Sequence, residues 1–193
     1  MASDKELKIK FLGWNELHRI LLDLAIRIRN SNMEFDTIYA IMKGGLIPAR
    51  ILMDLLNIDE LGIIGVKFYK SVGLRGKKPI ITQPPTISVT GKRVLIVDDV
   101  VDTGKTLQLV MEELTRYNAE KIVSLAIYVK PWAMITPDLY YGVTDKWVVF
   151  PWEIRETITE GIDLRKYVND PIMLEVVKDS IKLLLKSKTS YSI

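Results

Sequence analysis

Residues 93–106, RVLIVDDVVDTGKT, set a cluster of acidic and phosphate-binding residue types after an apolar run. Asp98 and Asp99 follow the run directly, and Asp102–Thr106 ends in Gly-Lys-Thr. Carboxylates accept hydrogen bonds from sugar hydroxyls and bind Mg²⁺, whereas a short loop that leads into a helix can bind phosphate. The stretch therefore predicts a ligand that carries both hydroxyl and phosphate groups.

The Gly-Lys-Thr ending is also that of a nucleotide-binding P-loop, but the spacing excludes this interpretation. A P-loop requires a glycine five positions before Gly104, and this chain has Asp99 there. A carboxylate at that position would direct negative charge at the phosphates that the loop has to bind.

A ribose 5-phosphate site fits the same residues. Ligands of open parallel sheets bind beyond the carboxyl ends of the strands, where we expect Asp98 and Asp99. The partial positive charge of the following helix N-terminus suits a phosphate monoester. Thr103 and Thr106 can donate from their hydroxyls, and Gly104 permits close approach.

The pattern of apolar residues predicts strands that alternate with helices through most of the chain, which is typical of an α/β fold with a parallel sheet. RVLIV is apolar beyond its first residue, as expected for a central strand that is covered on both faces. The predicted helices are at 14–30, at 47–56 with Pro48 just inside, at about 104–117 and from Pro171 onward. The predicted strands include FDTIYAIM, 61–69, RVLIV, KIVSLAIYVK and aromatic-rich material in 138–152.

Composition limits the chemistry further. The 193 residues include no cysteine and one histidine, His18, which excludes zinc–thiolate sites, thiol nucleophiles and multi-histidine metal sites. We place His18 at the surface. The net charge of +3 comes from dispersed basic residues, so we expect no nucleic-acid partner. We find no apolar run for a signal peptide or membrane span, and therefore expect a cytoplasmic protein without a membrane partner.

VLIVDDVVDTGKT resembles the thirteen-residue phosphoribosyl-pyrophosphate (PRPP) signature of the type I phosphoribosyltransferases. The resemblance implies a Rossmann-like twisted parallel sheet flanked by helices, with a small hood. It covers about residues 10–153, so we divide the chain into a core with hood at 1–153 and a helical C-terminal extension at 154–193. The family provides no role for the extension.

The resemblance also implies roles in binding PRPP and Mg²⁺. Asp98 and Asp99 would hold the ribose hydroxyls and the metal, directly or through water, and Asp102 would be the general acid/base near purine N7. The 5-phosphate would bind to Asp102, Thr103, Gly104, Lys105 and Thr106.

MKGG matches the pyrophosphate loop of the family. Backbone groups of Lys43, Gly44 and Gly45 would bind pyrophosphate, with an unusual, often cis, peptide at Lys43–Gly44. Residues 70–78, KSVGLRGKK, stand where the family has a flexible catalytic lid.

YVKPW and DKWVVFPWE resemble the base-binding segments of the 6-oxopurine branch. Lys130 would donate to the 6-oxo group, Trp147 would stack on the ring, and the backbone of Val148 would contact the base edge. Glu153 matches an acidic position for which a metal or pyrophosphate role is implied.

The resulting hypothesis is a salvage enzyme that transfers ribose 5-phosphate from PRPP to hypoxanthine, guanine or xanthine. Adenine remains an alternative base, because backbone groups could read an amino purine. A PRPP-sensing regulator is the alternative of another class. The family implies a homodimer or a dimer of dimers.

Overall fold

The computed structural model describes residues 8–70 and 77–189, which fold as two compact units. The sheet unit comprises His18–Thr144, and the terminal unit combines residues 8–17 with 145–189. Helix α1, Trp14–Asn30, begins in the terminal unit and continues into the sheet unit. In the described part of the chain, no helix is both long and apolar enough to span a membrane.

The sheet unit contains a six-stranded sheet in the order β4-β3-β2-β5-β6-β7. All neighbouring strands are parallel except β3 and β4, which are antiparallel. This parallel-dominated sheet and its helices confirm the predicted α/β fold. The strands are β2 (Thr37–Met42), β3 (Leu61–Lys70), β4 (Lys77–Gln83), β5 (Arg93–Val101), β6 (Lys121–Val129) and β7 (Leu139–Val143).

Strand β5 is buried on both faces, as its apolar run predicts. Val94 and Ile96 belong to a core cluster that also contains Leu107, Val110 and Leu114 of helix α3, Lys105–Arg116. Leu95 and Val97 are also fully buried, and because side chains alternate along a strand they face the opposite side of the sheet. Helix α2, Leu46–Leu56, packs against β2, β3 and β5.

The terminal unit has a core of its own. Strands β1, Ile9–Phe11, and β8, Trp147–Val149, pair in parallel. The C-terminal extension forms helix α4, Ile154–Thr159, a short 3₁₀ helix at Leu164–Lys166, and helix α5, Pro171–Thr189. A buried apolar cluster joins β8 to these helices through Val149, Ile154, Leu164, Val168 and Val177. The extension therefore completes a hydrophobic core within its own unit.

One expectation about element limits was wrong. Strand β5 continues to Val101, so Asp98 and Asp99 lie inside it rather than after it. Its ladder with β2 ends at Val97, but its ladder with β6 continues to Val101. Of the expected lid at 70–78, Lys70 belongs to β3 and residues 77–78 to β4, while 71–76 lie outside the described residues. Helix α4 was not predicted. His18 is exposed, as expected.

A cluster of ion pairs joins β2 and β5 at their amino ends. The Arg93 guanidinium donates to Asp36 at 2.7 and 3.1 Å and to Glu34 at 2.6 Å. The Arg93 N–H also donates to Asp36, and the Asp36 N–H donates to the Arg93 carbonyl. These bonds, led by the Arg93 side chain, lower the pKa of Asp36 from 3.8 to about 2.

We expect Asp36→Asn to lower the free energy of unfolding at neutral pH. We also expect this free energy to depend less on pH in the acid range. Because the folded-state pKa is depressed, the stabilisation by Asp36 is present above its unfolded pKa of 3.8 and is lost as pH falls toward about 2. Urea midpoints of wild type and variant should therefore converge between pH 4 and 2. Asp59→Asn, at an exposed position, is the control. Parallel midpoints over this range would contradict the linkage.

Candidate active site

Most of the predicted sugar and phosphate residues line one cleft of the sheet unit, but Asp99 and Lys105 are not among its lining residues. A cavity of about 160 Å³ is lined by Asp98, Asp102, Thr103, Gly104 and Thr106, together with Phe68 of β3 and apolar residues of β5 and α3. A space of this size suits a small phosphorylated fragment rather than a whole nucleotide. The side chain of Phe68 is 45% exposed. Its place in the cleft was not predicted, because an aromatic residue in a strand is equally typical of the hydrophobic core.

The phosphate loop ends at the N-terminus of α3. Gly104 occupies the N-cap position with a φ of 85°, which glycine adopts without steric cost. A Cβ there would lie 2.7 Å from Cβ of Ile135, so the position is also sterically closed. No side chain caps α3. Amide groups in the first helical turn have no intrahelical acceptor, and together with the helix dipole they suit an anion.

The two acidic residues on β5 are oriented by main-chain hydrogen bonds. Asp98 Oδ1 accepts from the Asp99 N–H at 3.0 Å, and Asp99 Oδ1 accepts from the Val100 N–H at 2.6 Å. Both residues are half-buried. These bonds fix the direction in which each carboxylate points.

The MKGG loop lies directly against Asp99. A Cβ built on Gly44 would stand 1.9 Å from Asp99 Oδ2, so the carboxylate occupies the space that any other residue would fill. A Cβ on Gly45 would lie 2.2 Å from the Val97 carbonyl oxygen. The chain thus brings the predicted pyrophosphate loop and the predicted ribose carboxylates together.

The loop differs from the expectation in one detail. The cis peptide is Met42–Lys43, one bond earlier than the expected Lys43–Gly44. The Gly45 N–H donates to the Ile41 carbonyl at 2.9 Å, so this amide is hydrogen-bonded within the loop. The pyrophosphate role of Lys43, Gly44 and Gly45 stays a prediction.

The predicted base residues lie in different units. Lys130 follows β6 in the sheet unit, and its Nζ is 5.6 Å from the ring centroid of Trp132. Trp132 Nε1 in turn donates to Asp102 Oδ1 at 2.7 Å. This contact connects Lys130 to the phosphate loop. Trp132 lies in the quoted YVKPW segment, yet the sequence has no signal for this long-range contact.

Trp147, Val148 and Glu153 belong to the terminal unit. Trp147 is 43% exposed, and Val148 is buried. The Glu153 carboxylate accepts from the Phe150 N–H at 3.4 Å, across the turn that precedes α4. Their roles toward the base and the metal remain predictions.

The acidic residues of the site suit an Mg²⁺ ion that is also coordinated by the substrate. In residues 8–70 and 77–189, no group of three or more His, Cys, Asp or Glu side chains is placed to hold a metal. Mg²⁺ commonly binds one or two carboxylates together with waters and substrate phosphates. Asp98 and Asp99 supply donors of that kind.

We expect Gly44→Ala to weaken binding of PRPP at least about 10-fold without unfolding the chain, because the new methyl must displace the Asp99 carboxylate, a flexible side-chain end. Calorimetric titration with PRPP and Mg²⁺ measures the loss. Gly142→Ala is the matched control, since its Cβ would make only ordinary contacts of 3.6 Å or more with Tyr128. Unchanged affinity in Gly44→Ala would contradict the assignment.

Comparison with known proteins gives a consistent result. Residues 13–157 match the phosphoribosyl transferase domain family. Xanthine-guanine phosphoribosyltransferases from Idiomarina loihiensis and Gluconobacter oxydans are 32% and 34% identical to this chain. These matches cover 75% and 72% of this chain, and 86% and 82% of the relatives.

Among solved structures, a purine phosphoribosyltransferase from Pyrococcus horikoshii is 43% identical, with a TM-score of 0.68. The match covers 76% of this chain and 94% of that protein. A xanthine-guanine-hypoxanthine phosphoribosyltransferase from Helicobacter pylori, at 20% identity and a TM-score of 0.69, shares the fold. These similarities establish that the chain belongs to the type I phosphoribosyltransferase family, in its purine branch.

Proposed function

We propose that the protein transfers ribose 5-phosphate from PRPP to a 6-oxopurine in nucleotide salvage, yielding a nucleoside 5′-monophosphate and pyrophosphate. The observation that carries the proposal is the packing of Gly44 against Asp99, beside a cleft that contains Asp98, Asp102 and the phosphate loop. This arrangement supports the proposal, because PRPP requires acceptors for two ribose hydroxyls between two anion sites.

The sugar is held by β5 and the loop that follows it. Asp98 and Asp99 accept from the 2- and 3-hydroxyls, which fixes the ribose relative to both phosphate ends. Residues 102–106 bind the 5-phosphate through first-turn amides and the Thr103 and Thr106 hydroxyls. Backbone groups of Lys43 and Gly44 bind the pyrophosphate. Catalysis then rests mainly on positioning and on electrostatic stabilisation of developing charge.

Mg²⁺, when bound by Asp98, Asp99 and PRPP, would neutralise the charge that develops on the pyrophosphate. The chain itself supplies the proton acceptor, Asp102, which is exposed at the mouth of the cleft. As C1 of the ribose loses pyrophosphate and bonds to the purine nitrogen, the base proton passes to the Asp102 carboxylate. The electron pair of the broken N–H bond stays on the purine ring.

The choice of base is supported by Lys130 and by the named relatives. A lysine ammonium only donates hydrogen bonds, so it matches a carbonyl at position 6 and mismatches the amino group of adenine. Lys130 reaches Asp102 through Trp132, which sets a cationic donor near the candidate proton acceptor. The same proposal includes stacking of the base on Trp147, a contact of the base with the Val148 backbone and a metal contact of Glu153. It also includes a homodimer and a cytoplasmic location.

A base panel tests the function. We expect nucleotide from PRPP, Mg²⁺ and hypoxanthine, guanine or xanthine, with little from adenine. Removing the donor in Lys130→Met should lower kcat/KM for the 6-oxopurines by about 10- to 150-fold, the range for a hydrogen bond to a charged group. Chromatography of the nucleotide products measures both.

Lys121→Met is the matched control, because Lys121 is an exposed lysine at the opposite end of the same strand, β6. Product from adenine alone would contradict the Lys130 argument. No product from any base, with PRPP still bound, would contradict the enzymatic proposal.

A further inference from the structure

A half-exposed tryptophan hydrogen-bonds the carboxylate that we propose as proton acceptor. Trp132 is 54% exposed, and its Nε1 donates to Asp102 Oδ1 at 2.7 Å, at the short end of N–H···O hydrogen bonds. The bond joins residues thirty positions apart, so tertiary structure creates it.

The turn that carries Trp132 is fastened to the phosphate loop on both sides. The Lys130 N–H donates to the Val101 carbonyl at 2.9 Å, and the Met134 N–H donates to the Thr103 carbonyl at 3.1 Å. Between them, the Ala133 N–H closes the turn onto the Lys130 carbonyl at 3.0 Å. The indole is therefore presented to Asp102 by a backbone that follows the phosphate loop.

The same indole also contacts the predicted base donor. The Lys130 ammonium lies 5.6 Å from the Trp132 ring centroid, within the range of a cation–π interaction. Trp132 thus contacts both groups that are proposed to act on the purine. Its indole N–H donates to the Asp102 carboxylate, and the ammonium group of Lys130 lies over its ring.

We propose that Trp132 is a positioning residue for Asp102, an inference that rests on the proposed function. Rotation of a carboxylate about its terminal torsion is otherwise broad. The indole N–H fixes Oδ1 and thereby directs Oδ2 toward the purine. In the transfer step the purine N–H bond breaks and the Oδ2–H bond forms. The purine nitrogen bonds to C1, and the C1–O electron pair leaves with pyrophosphate.

The test compares two aromatic replacements of Trp132. Trp132→Phe keeps a ring but loses the donor, whereas Trp132→His keeps a ring N–H. We expect Trp132→Phe to lower kcat about 10- to 100-fold, the range for loss of a hydrogen bond to a charged group, with KM for PRPP within about twofold. Trp132→His should recover part of the loss. Trp14→Phe, another half-exposed tryptophan, is the control.

A double-variant cycle separates positioning from a structural role. In an Asp102→Asn background, Trp132→Phe should cause little further loss of kcat, because Trp132 acts through that carboxylate. Equal losses in Trp132→Phe and Trp132→His, wild-type kcat in Trp132→Phe, or additive losses in the cycle would each overturn the inference. The wild-type assay reports separately on the proposed function, since absence of nucleotide there refutes the function itself.

An NMR measurement needs no Trp132 variant. The chain has four tryptophans and so four indole N–H signals. Asp102→Asn should shift one of them, and PRPP with guanine should shift the same signal in the wild type. If none of the four signals responds to Asp102→Asn, the hydrogen bond is absent in solution and the inference is overturned.

Discussion

The close approach of the Asp99 carboxylate to the α carbon of Gly44 is the constraint on which the site depends. No Cβ fits between them, so β2 and β5 must be adjacent and in a fixed register. Gly45 adds a second such constraint, because its α carbon packs against the backbone of β5 at Val97. The loops that follow these two neighbouring parallel strands are thereby held close together, as the proposed binding of PRPP requires.

Strand β5 extends this constraint toward the base. Its ladder with β2 stops at Val97, but its ladder with β6 continues four residues further. Asp98 and Asp99 therefore lie in the part of β5 that is paired with β6 but extends beyond the end of its pairing with β2. The loop after β5 consequently remains against the segment after β6, where Trp132 donates to Asp102. The segments proposed for phosphate binding and for base recognition are therefore joined by one set of backbone hydrogen bonds.

The sequence predicts what is local and periodic. The strand RVLIV, helix α3, helix α5 and the cluster of Asp98, Asp102 and Gly104 follow from apolar spacing and from residue chemistry. The end of β5 could not be predicted, because the ladder with β6 decides it. Helix α4, at six residues, is too short for a periodic pattern. The bond between Trp132 and Asp102 links two loops, and neither loop has a sequence pattern that predicts it. The position of Phe68 in the cleft has no sequence pattern either.

The central claim is that β5 and its loop bind ribose 5-phosphate while the Gly44 loop binds pyrophosphate. A crystal structure of the protein soaked with PRPP and Mg²⁺ tests this most directly. The account predicts the 5-phosphate on the amides of residues 102–106, the ribose hydroxyls on Asp98 and Asp99, and pyrophosphate on the backbone of Lys43 and Gly44. Density for the 5-phosphate away from the 102–106 loop, or a ribose without contact to either aspartate, would contradict it.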